Sequence, residues 1–158
     1  MYTKIQVVFD AADPAKLAAF WKLALGYDYE PPPEGYTTWE EFGHAIGLAE
    51  ERFGDQASLI DPAGEGPRIY FQRVTEGKTA KNRVHLDVRV AGREVRGDSR
   101  ERLIEERVAR LAAAGATEAW RVSDPRGRCV VMRDPEGNEF CVALPVRGRA
   151  RPARAAPR

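Results

Sequence analysis

Soft metal ligands and nucleophiles are scarce in this chain. Its 158 residues hold two histidines, His44 and His85, and two cysteines, Cys129 and Cys141. So few cysteines exclude a disulfide scaffold, and a chain of this size needs none to bury a core. Both thiols are expected to be reduced. A run of ~18 apolar residues that could cross a bilayer as a helix is missing, as is an apolar signal core at the N-terminus. A cytoplasmic location is the default expectation. Charge of one sign is lacking too: Lys and Arg number 25 against 24 Asp and Glu, a formal net charge of +1. Dedicated nucleic-acid binders concentrate positive charge to replace counterions, so that class is not expected. There is also no nucleophile elbow, no Ser-His-Asp order and no glycine-rich loop leading from a strand into a helix.

What the chain does have is alternation. Residues 81–90 place Val84, Leu86, Val88 and Val90 on one face of a strand and Arg83, His85, Asp87 and Arg89 on the other. His85 is the best candidate for a general base, with Asp87 on the same face. Two such neighbours along a strand stand ~6–7 Å apart at their Cα atoms, more than a direct orienting hydrogen bond needs. Residues 4–10 repeat the pattern, with Ile5, Val7 and Phe9 opposed to Lys4, Gln6, Val8 and Asp10.

Each strand leads into a helix. The first begins at Asp13-Pro14, an N-cap followed by proline at the first helical position, and runs to Leu25 before Gly26. Leu17, Phe20, Trp21, Ala24 and Leu25 recur at helical spacing. The second is expected from Ser99 to Ala114, with Leu103, Val108, Leu111 and Ala112 on its inner side and Gly115 ending it. Strands with an Asp-Pro-x-Gly turn follow both times, at 61–64 and 134–137. One strand-helix-strands unit is thus written twice. Module 1 covers about 3–74 and module 2 about 82–144, within a single domain of residues 1–146.

Residues 31–55 lengthen the first copy. Pro31-Pro32-Pro33 forbids a helix at its start, whereas Trp39 to Glu51 reads as helical, with Trp39, Phe42 and His44 placed to lie over a pocket or pack outside the sheet. At the other end, 147–158 contains five arginines and no apolar side chain larger than alanine or proline. Such a segment cannot offset its ordering entropy and is expected to be a disordered tail, the one stretch with any reason to meet nucleic acid.

Taken together, Asp13-Pro14, Phe20-Trp21, Leu25-Gly26-Tyr27, Arg83-Val84-His85-Leu86-Asp87, Gly115-Ala116 and Asp134-Pro135-Glu136-Gly137-Asn138-Glu139-Phe140 resemble the vicinal oxygen chelate superfamily. Within it, the chain is most similar to the bacterial glyoxalase-like domains, the group that includes bleomycin-resistance proteins. The resemblance spans about 3–144 and implies an α+β fold. Two tandem βαβββ modules would form a curled, cup-shaped mixed sheet with helices outside.

Metal-dependent members take a ligand from the first and last strands of each module. Carried onto this chain, those positions are Gln6, Gln72, His85 and Cys141, a candidate set for a divalent ion such as Zn, Ni, Mn or Fe. Two neutral amides, one imidazole and a thiol that must first lose its proton suit such an ion poorly. Members without metal hold organic molecules. For that use the cup offers Tyr27, Trp39, Tyr70 and Trp120 as aromatic walls, with Gln6, Asp10, Gln72, His85, Asp87, Arg89 and Cys141 as polar contacts. Asp10 and Arg89 also occupy nearly matching repeat positions, where an ion pair could link the modules. The resemblance therefore points to a small-molecule-binding protein for a partly aromatic organic ligand without catalytic metal. Its alternative is a metal-dependent lyase, isomerase or dioxygenase. Because relatives commonly pair modules between chains, a homodimer is expected.

Overall fold

The computed structural model describes residues 3–90, 98–124 and 127–144, so the expected disorder of 147–158 lies outside the described residues. The first repeat is built from β1 (Gln6–Ala11), α1 (Pro14–Leu25), β2 (Asp28–Tyr29), β3 (Gln56–Ile60) and β4 (Arg68–Arg73), with α2 (Trp39–Ala45) inside the insert. The second is built from β5 (Asp87–Arg89), α3 (Asp98–Ala113), β6 (Thr117–Asp124), β7 (Gly127–Arg133) and β8 (Glu139–Ala143). The two sheets have the same order, β1-β4-β3-β2 and β5-β8-β7-β6. In each, the first strand pairs in parallel with the last and the remaining neighbours are antiparallel. The fold is α+β, two tandem βαβββ modules whose sheets remain open. No helix among the described residues is long and apolar enough to cross a membrane.

Local chemistry sets the elements where the sequence signals it. The Asp13 carboxylate accepts from the Lys16 backbone N–H to cap α1, and Gly26, with φ 73°, ends it in the left-handed conformation. Thr38 and Glu41 form a reciprocal capping box on α2. That helix stops at Ala45, short of the expected Glu51, and only a 3-10 turn over Glu50–Arg52 follows. Within the insert, Phe53 lies over Gly43 so closely that a Cβ there would come within 2.7 Å of its ring. In α3 the buried residues are Ile104, Val108 and Leu111, while Ala112 is exposed.

The strand expected over 81–90 is much shorter. Asp87 is in register with Cys141, so His85 would face Glu139, the first residue of β8, and earlier residues would face the 134–138 turn. That turn directs its backbone N–H groups to the Asp134 carboxylate and offers no ladder. Pairing therefore begins where Leu86 accepts from the Cys141 N–H, and Val84 is left 80% exposed.

Helices and sheets share one core. Val7, Phe9 and Ala11 of β1 meet Ile69 and Phe71 of β4 and the inner face of α1, and Val130, Met132, Phe140 and Val142 do the same for α3. Burial of each such large apolar side chain stabilises by ~1.5–3 kcal/mol. The modules join through α1. Trp21 packs edge-on against Phe140 with ring centroids 5.2 Å apart, and Phe20 does so at 5.7 Å. The Trp21 indole N–H donates to buried Asp134 at 3.1 Å. The next acidic residue of the turn, Glu136, accepts from the backbone N–H groups of Ala12 and Asp13, both at 2.8 Å. It thereby satisfies donors at the start of α1 that the helix itself cannot. Burial raises the Asp134 carboxyl above the ordinary range, although the donors around it pull the other way.

Glu139 ties down the segment between the modules. Its carboxylate accepts from the Asn82 backbone N–H at 3.0 Å and from Lys78 Nζ at 3.0 Å. These donors hold its pKa down to about 2.

Two outcomes are expected. Asp134→Ala leaves the Trp21 indole and the Glu136 and Asn138 N–H groups without their acceptor, and should cost about 2–4 kcal/mol in chemical denaturation, with Asp134→Asn costing less. A loss under about 1 kcal/mol would remove Asp134 from this role. Because the folded Glu139 pKa lies below its unfolded value, the stability it contributes is present above pH 4.5 and lost as pH falls toward about 2. Acid titration of stability should therefore be shallower in Glu139→Gln than in the unaltered chain.

Candidate functional site

Strand parity gives each sheet a second face, turned away from its helix. On the first sheet this face carries Gln6, Val8 and Asp10 from β1 and Arg68, Tyr70 and Gln72 from β4, paired Gln6 with Arg68, Val8 with Tyr70 and Asp10 with Gln72. Its polar groups are already bonded to one another. Arg68 donates to Gln6 Oε1 at 2.7 Å and to Glu30, whose carboxylate also takes the Ser58 hydroxyl. The Arg68 hydrogen bonds hold the Glu30 carboxyl below the usual range. The guanidinium also lies 5.0 Å from the Tyr70 ring. Gln72 Nε2 donates to Asp10 at 2.8 Å, and no ion pair joins Asp10 to Arg89 among the described residues. Trp39 reaches this region from the insert, its indole N–H donating to the Glu30 carbonyl at 2.9 Å while the ring stays 43% exposed. His44 packs instead against Phe53 within the insert.

On the second sheet the corresponding face carries Glu139 and Cys141 from β8, Cys129, Val131 and Arg133 from β7, and Trp120 and Val122 from β6, as the cross-strand register requires. His85 and Asp87 stand beside Cys141. The His85 Nε2 to Asp87 Oδ1 distance is 3.6 Å, beyond a hydrogen bond, with both side chains about half exposed. One ligand atom from each of His85, Asp87 and Cys141 lies within 4.8 Å of the others. Cys141 itself is buried. Burial pushes its thiol up to about 12, and Cys129 and Asp87 push the same way.

The predicted residues therefore fall into three groups: Gln6 with Arg68, Asp10 with Gln72, and His85 with Asp87 and Cys141. Among the described residues, no hydrogen bond joins the first two groups to the third. Arg89 is exposed at the end of β5. Sequence reasoning missed the Arg68–Glu30–Ser58 network, because nothing in the strand pattern says which residue beyond the end of β2 reaches across β3 to β4. It counted Asp87 and Cys141 among the polar contacts of one cup but left Asp87 out of the metal-ligand set, although the period-2 spacing from His85 carried that signal.

Chemically, imidazole, carboxylate and thiol form a mixed N, O, S donor set of a kind that suits zinc or iron. The thiol must be deprotonated to join it, so any such binding would release a proton and weaken as pH falls. Without a metal, the same three groups present an acceptor, an anion and a small apolar sulfur to an organic molecule.

The family model for the glyoxalase-like domain matches residues 6–143. A comparison with curated proteins finds no match. Among solved structures, the fosfomycin resistance protein FosX from Listeria monocytogenes is 13% identical, with a TM-score of 0.60 over 93% of this chain and 96% of its own. A glyoxylase/bleomycin resistance protein/dioxygenase domain from Frankia sp. EAN1pec is 19% identical, with a TM-score of 0.55 over 94% and 96%. The bleomycin-binding protein of Streptomyces verticillus, complexed with copper(II)-bleomycin, is 17% identical, with a TM-score of 0.51 over 92% and 98%. At these identities the likeness is one of fold. The duplicated βαβββ topology and the family match over almost all described residues agree: the chain belongs to the glyoxalase-like domain family of the vicinal oxygen chelate superfamily.

Proposed function

We propose that the protein binds a small, partly aromatic organic molecule in a cup lined by the helix-free faces of its two sheets, without a catalytic metal. The observation that carries this reading is the state of the four family ligand positions. Gln6 and Gln72 are engaged by Arg68 and Asp10, and the Cys141 thiol is held protonated by burial. Of the four, His85 alone is left as a strong metal ligand. Tyr70, Trp39 and Trp120 supply aromatic area around those faces. The bleomycin-binding neighbour is precedent for an organic ligand on this fold.

The cup is proposed to be completed in a homodimer, since Val8, Trp120 and Val122 are 48%, 41% and 37% exposed on these faces. A cytoplasmic location fits the two free thiols. A second reading, a metal-dependent lyase, isomerase or dioxygenase, is favoured by the His85, Asp87 and Cys141 cluster. A mutant form of the Listeria FosX, which shares this fold, is complexed with Mn(II). On this chain the metal would be held by the three clustered residues, not by the two glutamines.

Native mass spectrometry of tag-free protein, purified without chelator, separates the readings. The expected spectrum is a dimer without metal, and organic compounds should raise the melting temperature more than divalent metals do. One metal per chain, lost in His85→Ala, would overturn the proposal in favour of the second reading.

A further inference from the structure

A groove of about 460 Å³ opens where the segment between the modules crosses the β6, β7 and β8 end of the second sheet, lined by Lys78, Lys81, Trp120, Arg133, Glu136 and Glu139 among others. Its volume is that of a site for a molecule of one or two rings. The six side chains are not equivalent. Both oxygens of Glu136 are taken by the Ala12 and Asp13 N–H groups. Glu139 is only 8% exposed and holds Lys78 at 3.0 Å and the Asn82 N–H. Lys78 is thereby neutralised, and it also donates to the Ala80 carbonyl.

Two cations are left facing the groove. Arg133 is half exposed, and its guanidinium comes no nearer than 3.9 Å to Glu139, too far for a hydrogen bond. The Lys81 ammonium pairs with no carboxylate among the described residues and lies 6.0 Å from the Trp120 ring centroid, the outer limit of a cation–π contact. It can move onto an anion with little to lose. Trp120 is 41% exposed, a flat apolar wall with the Lys81 ammonium over it and Arg133 lining the same groove.

From this arrangement we infer that the groove is a subsite for an aromatic carboxylate, its ring stacked on Trp120 and its carboxylate held by Lys81 and Arg133. An indole offers a large flat face for the ring, and the planar guanidinium suits a carboxylate. The inference rests on the proposed organic-ligand function and narrows it to an anion. Glu139 and Cys141 are alternate residues on one strand face, ~6–7 Å apart at their Cα atoms. The groove thus ends one strand step from Cys141, the residue that stands with His85 and Asp87.

The test uses the full chain with 2-naphthoate and its uncharged analogue 2-naphthamide as probes. Binding is followed by isothermal titration calorimetry in dilute buffer and at about 0.5 M salt, where the Debye length shrinks to ~4 Å. The naphthoate is expected to bind about tenfold more tightly than the amide, with the preference shrinking at high salt. Lys81→Gln and Arg133→Gln should each erase most of that preference, weakening the naphthoate far more than the amide. Trp120→Ala should weaken both probes, with unchanged circular dichroism showing that the variants fold. Equal binding of acid and amide, or a preference that survives both charge substitutions, would overturn the subsite while leaving organic-ligand binding in place. Failure of the naphthoate to bind would overturn the subsite, and failure of both probes would count against the proposed function as well.

Discussion

A single buried carboxylate organises the contact between the two halves of this chain. Asp134 sits in the turn before β8, receives the Trp21 indole N–H from the other module, and collects the Glu136 and Asn138 N–H groups of its own turn. A buried charge of this kind costs stability unless its donors are all in place. The turn is therefore held in one shape, and that shape aims Glu136 at the start of α1 and sets where β8 can begin. The shortness of β5 follows from the same cause: residues 81–84, which would pair with the turn, find its backbone donors already used. His85 consequently stands just outside the ladder, beside a strand it does not belong to.

Much of this architecture was legible in the residues. Asp13-Pro14 and Gly26 bracket α1 as their chemistry requires, and the two Asp-Pro-x-Gly turns mark the repeat whose strand orders prove identical. Strand parity placed Gln6, Asp10, Tyr70 and Gln72 together on one face, and Glu139 with Cys141 on another. What the pattern could not carry was partner choice. The alternation of 81–90 is continuous, yet a strand needs a neighbour, and the neighbour's start is fixed by a side chain more than forty positions away in the chain, Asp134. The two glutamines pose the same difficulty, since residue type does not say that Arg68 and Asp10 already occupy their amides.

The electrostatics of the two helix-free faces differ more than their topology. On the first sheet each charged group has an answering group: Arg68 has Glu30 and Gln6, and Asp10 has Gln72. On the second sheet the carboxylates of Glu136 and Glu139 are committed to structure, which leaves Lys81 and Arg133 without full partners. The thiol of Cys141, held neutral by burial, adds no anion to the carboxylate that Asp87 presents beside it.

This imbalance bears on how a duplicated scaffold comes to distinguish head from tail. Two copies of one module present matching strand orders, and a molecule lodged between equivalent walls could sit either way round. Here the polar groups of one wall are matched among themselves and those of the other are not, so a guest with a charged end and a flat end would have a single resting direction. The pseudo-symmetry of strand order is thus broken by side-chain pairing as well as by the insert of the first module and the short β5 of the second.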